Sequence, residues 1–430
     1  MTIFFSIIKR LKRILNRKST INCRQIKTKI SRSFLGVFDN FDVVVDNNQR
    51  MKTVNVILPD IGMNMSGGPL CVLYFVRYLC SMGVRIRLII FNSNKKDDEL
   101  RAILNAQSDD FTHLTEKIEV QSFSPRRDRL IVINDNDLSV ATLFNTAFVA
   151  KKIQSYCTNK RFIYFIQDDE RSFFPANSLK YIAEESYNLE YYPLFSTEIL
   201  KDFFVQENVG NLNIKGLPCV FQNPAANFYL PSYDEFITRP DRKKFVFYAR
   251  PHAARNCYEY AIFIIYSAIK LGIFSENWDM YGIGFSGNRT SIELDGVHTL
   301  HLLPNTSLSN YKQSLYTYDV ALSLMATPHP SMPPIDLALS GCVVVTNSFK
   351  TKTAESLNKI CGNIICSELN IDKMMFALRL AVNESQNLKK RYQNAKTSTW
   401  PKSWDETFTV EHQKWIANII DGNNLKDGSH

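Results

Sequence analysis

Leu322-Ser323-Leu324-Met325-Ala326-Thr327-Pro328-His329-Pro330-Ser331-Met332-Pro333-Pro334-Ile335-Asp336, continued by Ser340-Gly341-Cys342-Val343-Val344-Val345-Thr346-Asn347, decides how this chain folds. The run reads as a buried strand, a proline-rich loop, a short helix closed by Gly341, and a second buried strand. That order is the unit of a parallel sheet with helices on its faces. The loop that feeds the helix is where such a domain binds phosphates and sugars. A carboxylate, Asp336, follows Pro333-Pro334 near the start of the helix.

The same alternation extends in both directions. Upstream, buried-strand patterns cover residues 53–59, 85–91, 130–133 and 162–165. Helical patterns cover 74–82, 138–155, 178–187 and 197–207, and Gly67-Gly68-Pro69 reads as a glycine loop at the first strand-to-helix turn. Residues 229–243 read as a linker. A second series opens with Lys244-Phe245-Val246-Phe247-Tyr248-Ala249 and continues through a helix over 258–271 and strands over 278–281 and 299–303. It runs on through a helix over 310–315 and the strand 320–324, and long helices over 371–383 and 408–420 close the chain. The pattern predicts an α/β protein of two Rossmann-like domains facing a central cleft. The expected boundaries are a basic amphipathic tail over 1–40, an N-terminal acceptor domain over 50–235 and a C-terminal donor domain over 236–405. A last helix over 406–425 is expected to pack back toward the N-terminal domain.

The chain has 430 residues and a net charge of +9, and the excess is confined to one place. Residues 1–30 carry nine Lys and Arg with no Asp or Glu, which leaves 42 basic residues to face 42 acidic ones in the remainder. A neutral body excludes a broad nucleic-acid footprint. In the tail, Phe4, Ile7, Ile8, Leu11, Ile14 and Leu15 recur at helical spacing between the basic positions. Such a segment is too short and too charged to span a bilayer, and it lacks the order of a signal peptide. It suits an anionic membrane surface, where each Lys or Arg contributes about 1 kcal/mol. A helix packed on the protein's own body, or a solvated tail, fits the same pattern. The expected location is the cytoplasm, peripheral on the inner face of the plasma membrane. Nine scattered cysteines without a CxxC pair fit a reducing compartment better than a disulfide framework. His and Cys nowhere fall at zinc-ligand spacing.

Several residues have chemistry suited to a diphosphate-bearing ligand. Tyr248-Ala249-Arg250-Pro251, with Arg255-Asn256, places two guanidinium groups in the loop after the first strand of the second half. The planar fork of Arg makes paired, charge-assisted hydrogen bonds to phosphate oxygens, although a plain surface Arg is the ordinary alternative. Asp336 is a candidate acceptor for ribose or sugar hydroxyls, or else a helix cap. His329, between two prolines, and Ser331 are candidate donors to phosphate or sugar oxygens. Gly67, Gly68 and Gly284 allow close backbone approach. Asp168, in Gln167-Asp168-Asp169-Glu170 after the strand 162–165, is placed to orient or deprotonate an acceptor hydroxyl. Asp135-Asn136-Asp137 has the DxD form that holds a divalent metal on a nucleotide-sugar; its alternative is capping of the segment that follows.

Ser66-Gly67-Gly68, Tyr164-Phe165-Ile166-Gln167-Asp168, Phe247-Tyr248-Ala249-Arg250-Pro251 with Arg255-Asn256, and Ser323-Leu324-Met325 through Pro328-His329-Pro330-Ser331 to Thr346-Asn347 resemble the WsaF-type rhamnosyltransferases of glycosyltransferase family 4. The resemblance covers residues 52–420 and implies the GT-B fold, retention of anomeric configuration and neither metal nor cofactor. It implies transfer of a sugar, L-rhamnose from a dTDP donor, to a growing surface polysaccharide or lipid-linked oligosaccharide, as in O-antigen synthesis. On this reading Arg250, Arg255 and Asp168 serve catalysis. Gly67, Gly68, Tyr248, Asn256, Gly284, His329, Ser331, Pro334 and Asp336 then bind the donor. Family 4 enzymes commonly carry two glutamates eight positions apart; here the second place holds Asp336 and the first is Pro328. An apolar residue there is compatible with a 6-deoxy sugar. Two other readings stand beside this one: a metal-dependent transferase using Asp135 and Asp137, and a non-catalytic GT-B-like subunit that binds glycan.

Overall fold

The computed structural model describes residues 41–48, 52–63, 65, 67–123, 130–214, 218–303 and 308–421. The basic segment 1–40 lies outside them. Sixteen strands are described: β1 (Asp42–Val45), β2 (Thr53–Pro59), β3 (Arg85–Phe91), β4 (Glu119–Phe123), β5 (Leu130–Ile133), β6 (Leu138–Ala141), β7 (Phe162–Ile166), β8 (Tyr191–Ser196), β9 (Cys219–Phe221), β10 (Lys243–Tyr248), β11 (Trp278–Ile283), β12 (Ser291–Glu293), β13 (Thr299–Leu302), β14 (Val320–Ser323), β15 (Val343–Asn347) and β16 (Ile364–Ser367). One seven-stranded sheet has the order β4-β3-β2-β6-β7-β8-β9 and another the order β12-β13-β11-β10-β14-β15-β16; β1 and β5 form a separate pair. By compactness the described residues divide into a unit within 41–69, 79–141 and 145–162 and a unit within 70–78, 142–144 and 163–421.

In the first unit β2 lies parallel to β3 and β6, and β3 to β4. β2 is buried along nearly its whole length, as expected of a central strand covered on both faces. The sequence predicts one helix over 138–155; the structure has β6 followed by a helix over Phe144–Gln154. The run Leu-Ser-Val-Ala has too few residues for periodicity to separate helix from strand, and pairing with β2 decides it. Among the described residues β5 pairs with β1, outside the main sheet. Gly67 and Gly68 do not form a loop but open the helix Gly67–Ser81. A first turn has no intrahelical N–H partners to lose, so two glycines and Pro69 are tolerated there.

The second unit shows period-two burial at its clearest. Phe245, Phe247, Val320, Leu322, Val343 and Val345 face one hydrophobic cluster, completed by α-helices Tyr258–Lys270 and Ile371–Glu384. Val246, Ala321 and Val344, the alternate positions of the same strands, face a second cluster with Ile335, Leu337 and Leu339 of the helix Met332–Leu339. Each of these Val, Leu, Ile and Phe side chains contributes roughly 1.5–3 kcal/mol when fully buried, and both faces of the sheet are closed. Gly341 ends the helix at φ +84, and a Cβ there would lie 2.5 Å from the Phe236 ring. The predicted linker 229–243 contains a short helix, Tyr233–Ile237, whose Tyr233 and Phe236 pack on Tyr392. At the C-terminal end, Phe408 packs on Phe75 and Phe221, and His412 lies 2.9 Å from the Val220 carbonyl. No helix among the described residues is long and apolar enough to cross a membrane.

Candidate functional site

The carboxyl ends of β7, β8, β10, β14 and β15 in the second unit bring the site residues together. After β10 the chain turns through Arg250 into a short 3-10 turn at Ala254–Asn256. Arg250 Nη1 donates to the Tyr248 hydroxyl at 3.3 Å, and its Nε and Nη2 donate to His252 Nε2 at 3.3 and 3.0 Å. An accepting Nε2 leaves the proton on Nδ1, which donates to Ser286 Oγ at 3.1 Å. Burial and the neighbouring Arg250 and Arg255 charges lower the His252 pKa. Gly284, at φ +80, lets the Tyr248 ring approach; a Cβ there would lie 2.8 Å from it.

Arg255 stacks its guanidinium on the Phe173 ring at 4.3 Å and holds Nε 3.5 Å from Asp168 Oδ2. That Nε is buried without a hydrogen-bond partner. Asp168 itself is buried, and its Oδ1 accepts the Asp169 N–H at 2.8 Å. Burial pushes the Asp168 carboxyl up to about 7 against the pull of Arg255, with Asp169 pushing the same way. Next in the chain, Asp169 is held by Arg171 at 2.8 Å, and Glu170 accepts the Phe144 N–H; burial lifts Glu170 to about 8.

The loop after β14 is fixed from several sides. Asn256 Nδ2 donates to the Leu324 carbonyl at 3.1 Å, and the Ala326 N–H donates to the Arg255 carbonyl at 2.7 Å. Asn347 uses both ends of its amide on Met325, accepting its N–H at 2.7 Å and donating to its carbonyl at 3.2 Å. Asn256 therefore supports the loop with the amide that the sequence assigns to the donor. His329 is also committed within the protein. Its Nδ1 accepts the Ser331 N–H at 3.0 Å, so Nε2 carries the proton and meets Ser196 Oγ at 3.1 Å. Ser196 Oγ in turn donates to Asn223 Oδ1 at 3.0 Å. Burial, then the nearby Lys352 and Arg255 charges, lower His329 to about 3 and keep the ring neutral.

Ser331 caps the helix at φ +69, a conformation rare for a residue with a side chain. Pro334 is buried in the first turn. Asp336 lies one turn further in than a cap, so its carboxylate satisfies no helix-end N–H. It meets the backbone and side-chain N–H groups of Asn227, the backbone contact being 3.4 Å, and burial lifts it to about 7. Burial, then the Asp336 and Tyr248 charges, push the Tyr311 hydroxyl well up.

Asp135 and Asp137 take another role. Asp137 Oδ1 accepts the N–H of Thr53, the first residue of β2, at 2.9 Å, and Oδ2 faces Asn55 Nδ2 at 3.2 Å. Asp135 contacts Asn47 and Asn136. The motif pins the amino ends of β2 and β6, opposite to the edge where parallel sheets bind ligands. Among the described residues no group of three His, Cys, Asp or Glu could hold a metal ion. Gly67 and Gly68 belong to the first compact unit. Sequence reasoning missed Asn347, Ser196, Thr327 and Lys352; only Thr346-Asn347 carried a signal, as the end of a buried strand. A cavity of about 570 Å³ lined by Ser348, Thr353, Ser367, Glu368 and Phe376 contains none of the predicted site residues.

UDP-bound HepE of Anabaena aligns with a TM-score of 0.54 at 12% identity, over 86% of this chain and 100% of that one. S. aureus TarM, solved with UDP and alpha-GlcNAc-glycerol, aligns at 0.56 and 8% identity over the same shares. At such identities the likeness is one of fold, and the fold is that of the GT-B glycosyltransferases. The chain matches the WsaF N-terminal domain over residues 39–198 and the WsaF C-terminal domain over 243–379, and it belongs to the WsaF family. The O-antigen biosynthesis protein RfbC of Myxococcus xanthus is 27% identical over 228 residues, 50% of this chain; the chain spans only 16% of that relative's length.

Proposed function

We propose that the chain is a retaining glycosyltransferase that moves a sugar, L-rhamnose from dTDP-rhamnose, onto a growing cell-surface polysaccharide. The observation that carries the reading is Arg255. A guanidinium stacked on Phe173 and ion-paired with buried Asp168, beside Arg250 on the loop after a central parallel strand, has chemistry suited to an anion. Membership of the WsaF family and an O-antigen biosynthesis protein among its relatives support a nucleotide diphosphate as that anion. Arg250 and Arg255 stabilise the charge that grows on the leaving diphosphate. Asp336 accepts a hydroxyl of the donor, and Pro328 in place of a first carboxylate suits a sugar without a hydroxyl on its last carbon.

In this reading Asp168 orients the acceptor hydroxyl, which attacks on the face the leaving group vacates. The bond from the anomeric carbon to the phosphate oxygen breaks and the bond to the acceptor oxygen forms. The hydroxyl proton passes to the departing phosphate oxygen. The test is thermal stabilisation by dTDP, UDP and GDP. A ligand at 100 times its Kd stabilises by about 2.7 kcal/mol, so dTDP should raise the Tm above the other two. A flat response to all three nucleotides contradicts the reading.

A further inference from the structure

The carboxyl ends of β15 and β16 carry a cavity that the reaction above leaves unused. β15 ends at Asn347 and β16 at Ser367, and the Ser348 N–H donates to the Ser367 carbonyl at 2.8 Å, which carries the pairing one residue past β15. The cavity at this edge has a volume of about 570 Å³, within the range of small-molecule sites. Ser348, Ser367 and Glu368 line it from the strand ends, and Asp372, Lys373 and Phe376 from the first turns of the helix Ile371–Glu384. In the sheet order β10-β14-β15-β16 it lies next to the strands that lead into Arg255 and the donor loop, and on the same edge. Ligands of parallel sheets bind outside that edge.

The polar groups of the lining are largely spare. Asn370 caps the helix, its Oδ1 accepting the Asp372 and Lys373 N–H groups at 3.0 and 3.3 Å. The helix end therefore has no need of the Asp372 carboxylate, which makes no hydrogen bond or ion pair among the described residues. The Ser348 and Ser367 hydroxyls make none among them either. Lys373 is taken up by Glu368. Phe376, one turn beyond Asp372, is 70% exposed, a large ring left in water at the wall of a cavity. Two carboxylates against one ammonium disfavour a second diphosphate here. The lining suits an uncharged, hydroxyl-rich ligand: carboxylates accept hydroxyl protons, serine hydroxyls donate and accept, and an aromatic face covers the C–H face of a sugar ring. We propose that the cavity is a second glycan-binding site, which takes a neutral pyranose unit with its ring on Phe376 and its hydroxyls on Asp372, Ser348 and Ser367. The inference rests on the transferase reading for the identity of the chain held, a growing polysaccharide whose units lie beyond the point of transfer.

The experiment is calorimetric titration of the full chain with neutral rhamnan, mannan and glucan oligosaccharides, with and without saturating dTDP, repeated for Phe376→Ala and Asp372→Asn. Both side chains are exposed, so both variants should keep the parent's Tm and its stabilisation by dTDP. At least one oligosaccharide should bind saturably, should not be displaced by dTDP, and should bind each variant at least about fivefold more weakly. Three results overturn the inference: binding within about twofold of the parent's in either variant, binding displaced by dTDP, or binding of none of the oligosaccharides. Stabilisation by dTDP in the same samples still upholds the transferase reading. Glycan binding that both substitutions weaken, with no response to any nucleotide, does the reverse: the cavity stands and the transferase reading falls.

Discussion

The Asp336 carboxyl sits in the second turn of its helix with little besides Asn227 to meet it, and burial lifts it to about 7. Asp168 and Glu170, at about 7 and about 8, share that condition. Each keeps its proton in the folded chain to a higher pH than a free carboxyl does. The stability this contributes is complete below the ordinary carboxylate range and is lost as pH rises through 7 and 8. His329, neutral down to about 3 in the fold, acts the other way, and only below its ordinary 6.5. Lys352, lowered to about 8, penalises the fold at lower pH, and that penalty is relieved as pH rises from about 8 to its ordinary 10.5. For these groups, then, the unliganded protein should lose stability between pH 6.5 and 8. Asp336→Asn should flatten the slope, read as the change in Tm across that interval; a variant slope equal to the parent's contradicts the assignment. None of this is legible in the sequence, since Asp336 after two prolines looks like a cap. What distinguishes it is one helical turn of depth.

Elements are fastened to the sheets by buried polar groups as well as by apolar faces. In the helix Leu388–Lys396, Arg391 is buried and donates to Asp319 at 2.9 Å, to the Gly341 carbonyl at 2.7 Å, and to the Ser385 and Tyr318 carbonyls at 2.9 and 3.0 Å. Asp319 also accepts the Lys244 N–H at 3.0 Å, so one ion pair joins the helix to the amino ends of β10 and β14. Arg391→Ala leaves that carboxylate buried with the Lys244 N–H and, at 3.6 Å, the Arg239 guanidinium. A loss of about 3–5 kcal/mol is expected from urea unfolding, and a loss under about 1 kcal/mol contradicts a buried pair. The elements themselves were largely readable. Phe245-Val246-Phe247 and Val343-Val344-Val345 announce buried strands, and β14 with its loop and helix follows the proline and glycine punctuation. The chain hid what tertiary pairing decides: Leu138–Ala141 is a strand because β2 lies beside it, and Lys352 is interior because Phe349, Lys350 and Thr351 grip another helix.

At the scale of the whole molecule, two mainly parallel sheets and family membership fix the class of protein, and the alternation of strands and helices was enough to foresee it. The site was legible as a location rather than as a set of contacts. Arg255 meets Asp168 after their respective strands, Asp336 lies deeper in its helix against Asn227, and Asn256 and His329 hold the loop after β14. The central claim is that Arg255 grips the diphosphate of an activated sugar. It is tested most directly by calorimetric titration of dTDP, together with sugar transfer, for the parent and Arg255→Gln. The account predicts that the variant folds, binds dTDP at least about tenfold more weakly and transfers sugar about two to three orders of magnitude more slowly. Binding and transfer both within twofold of the parent would contradict it.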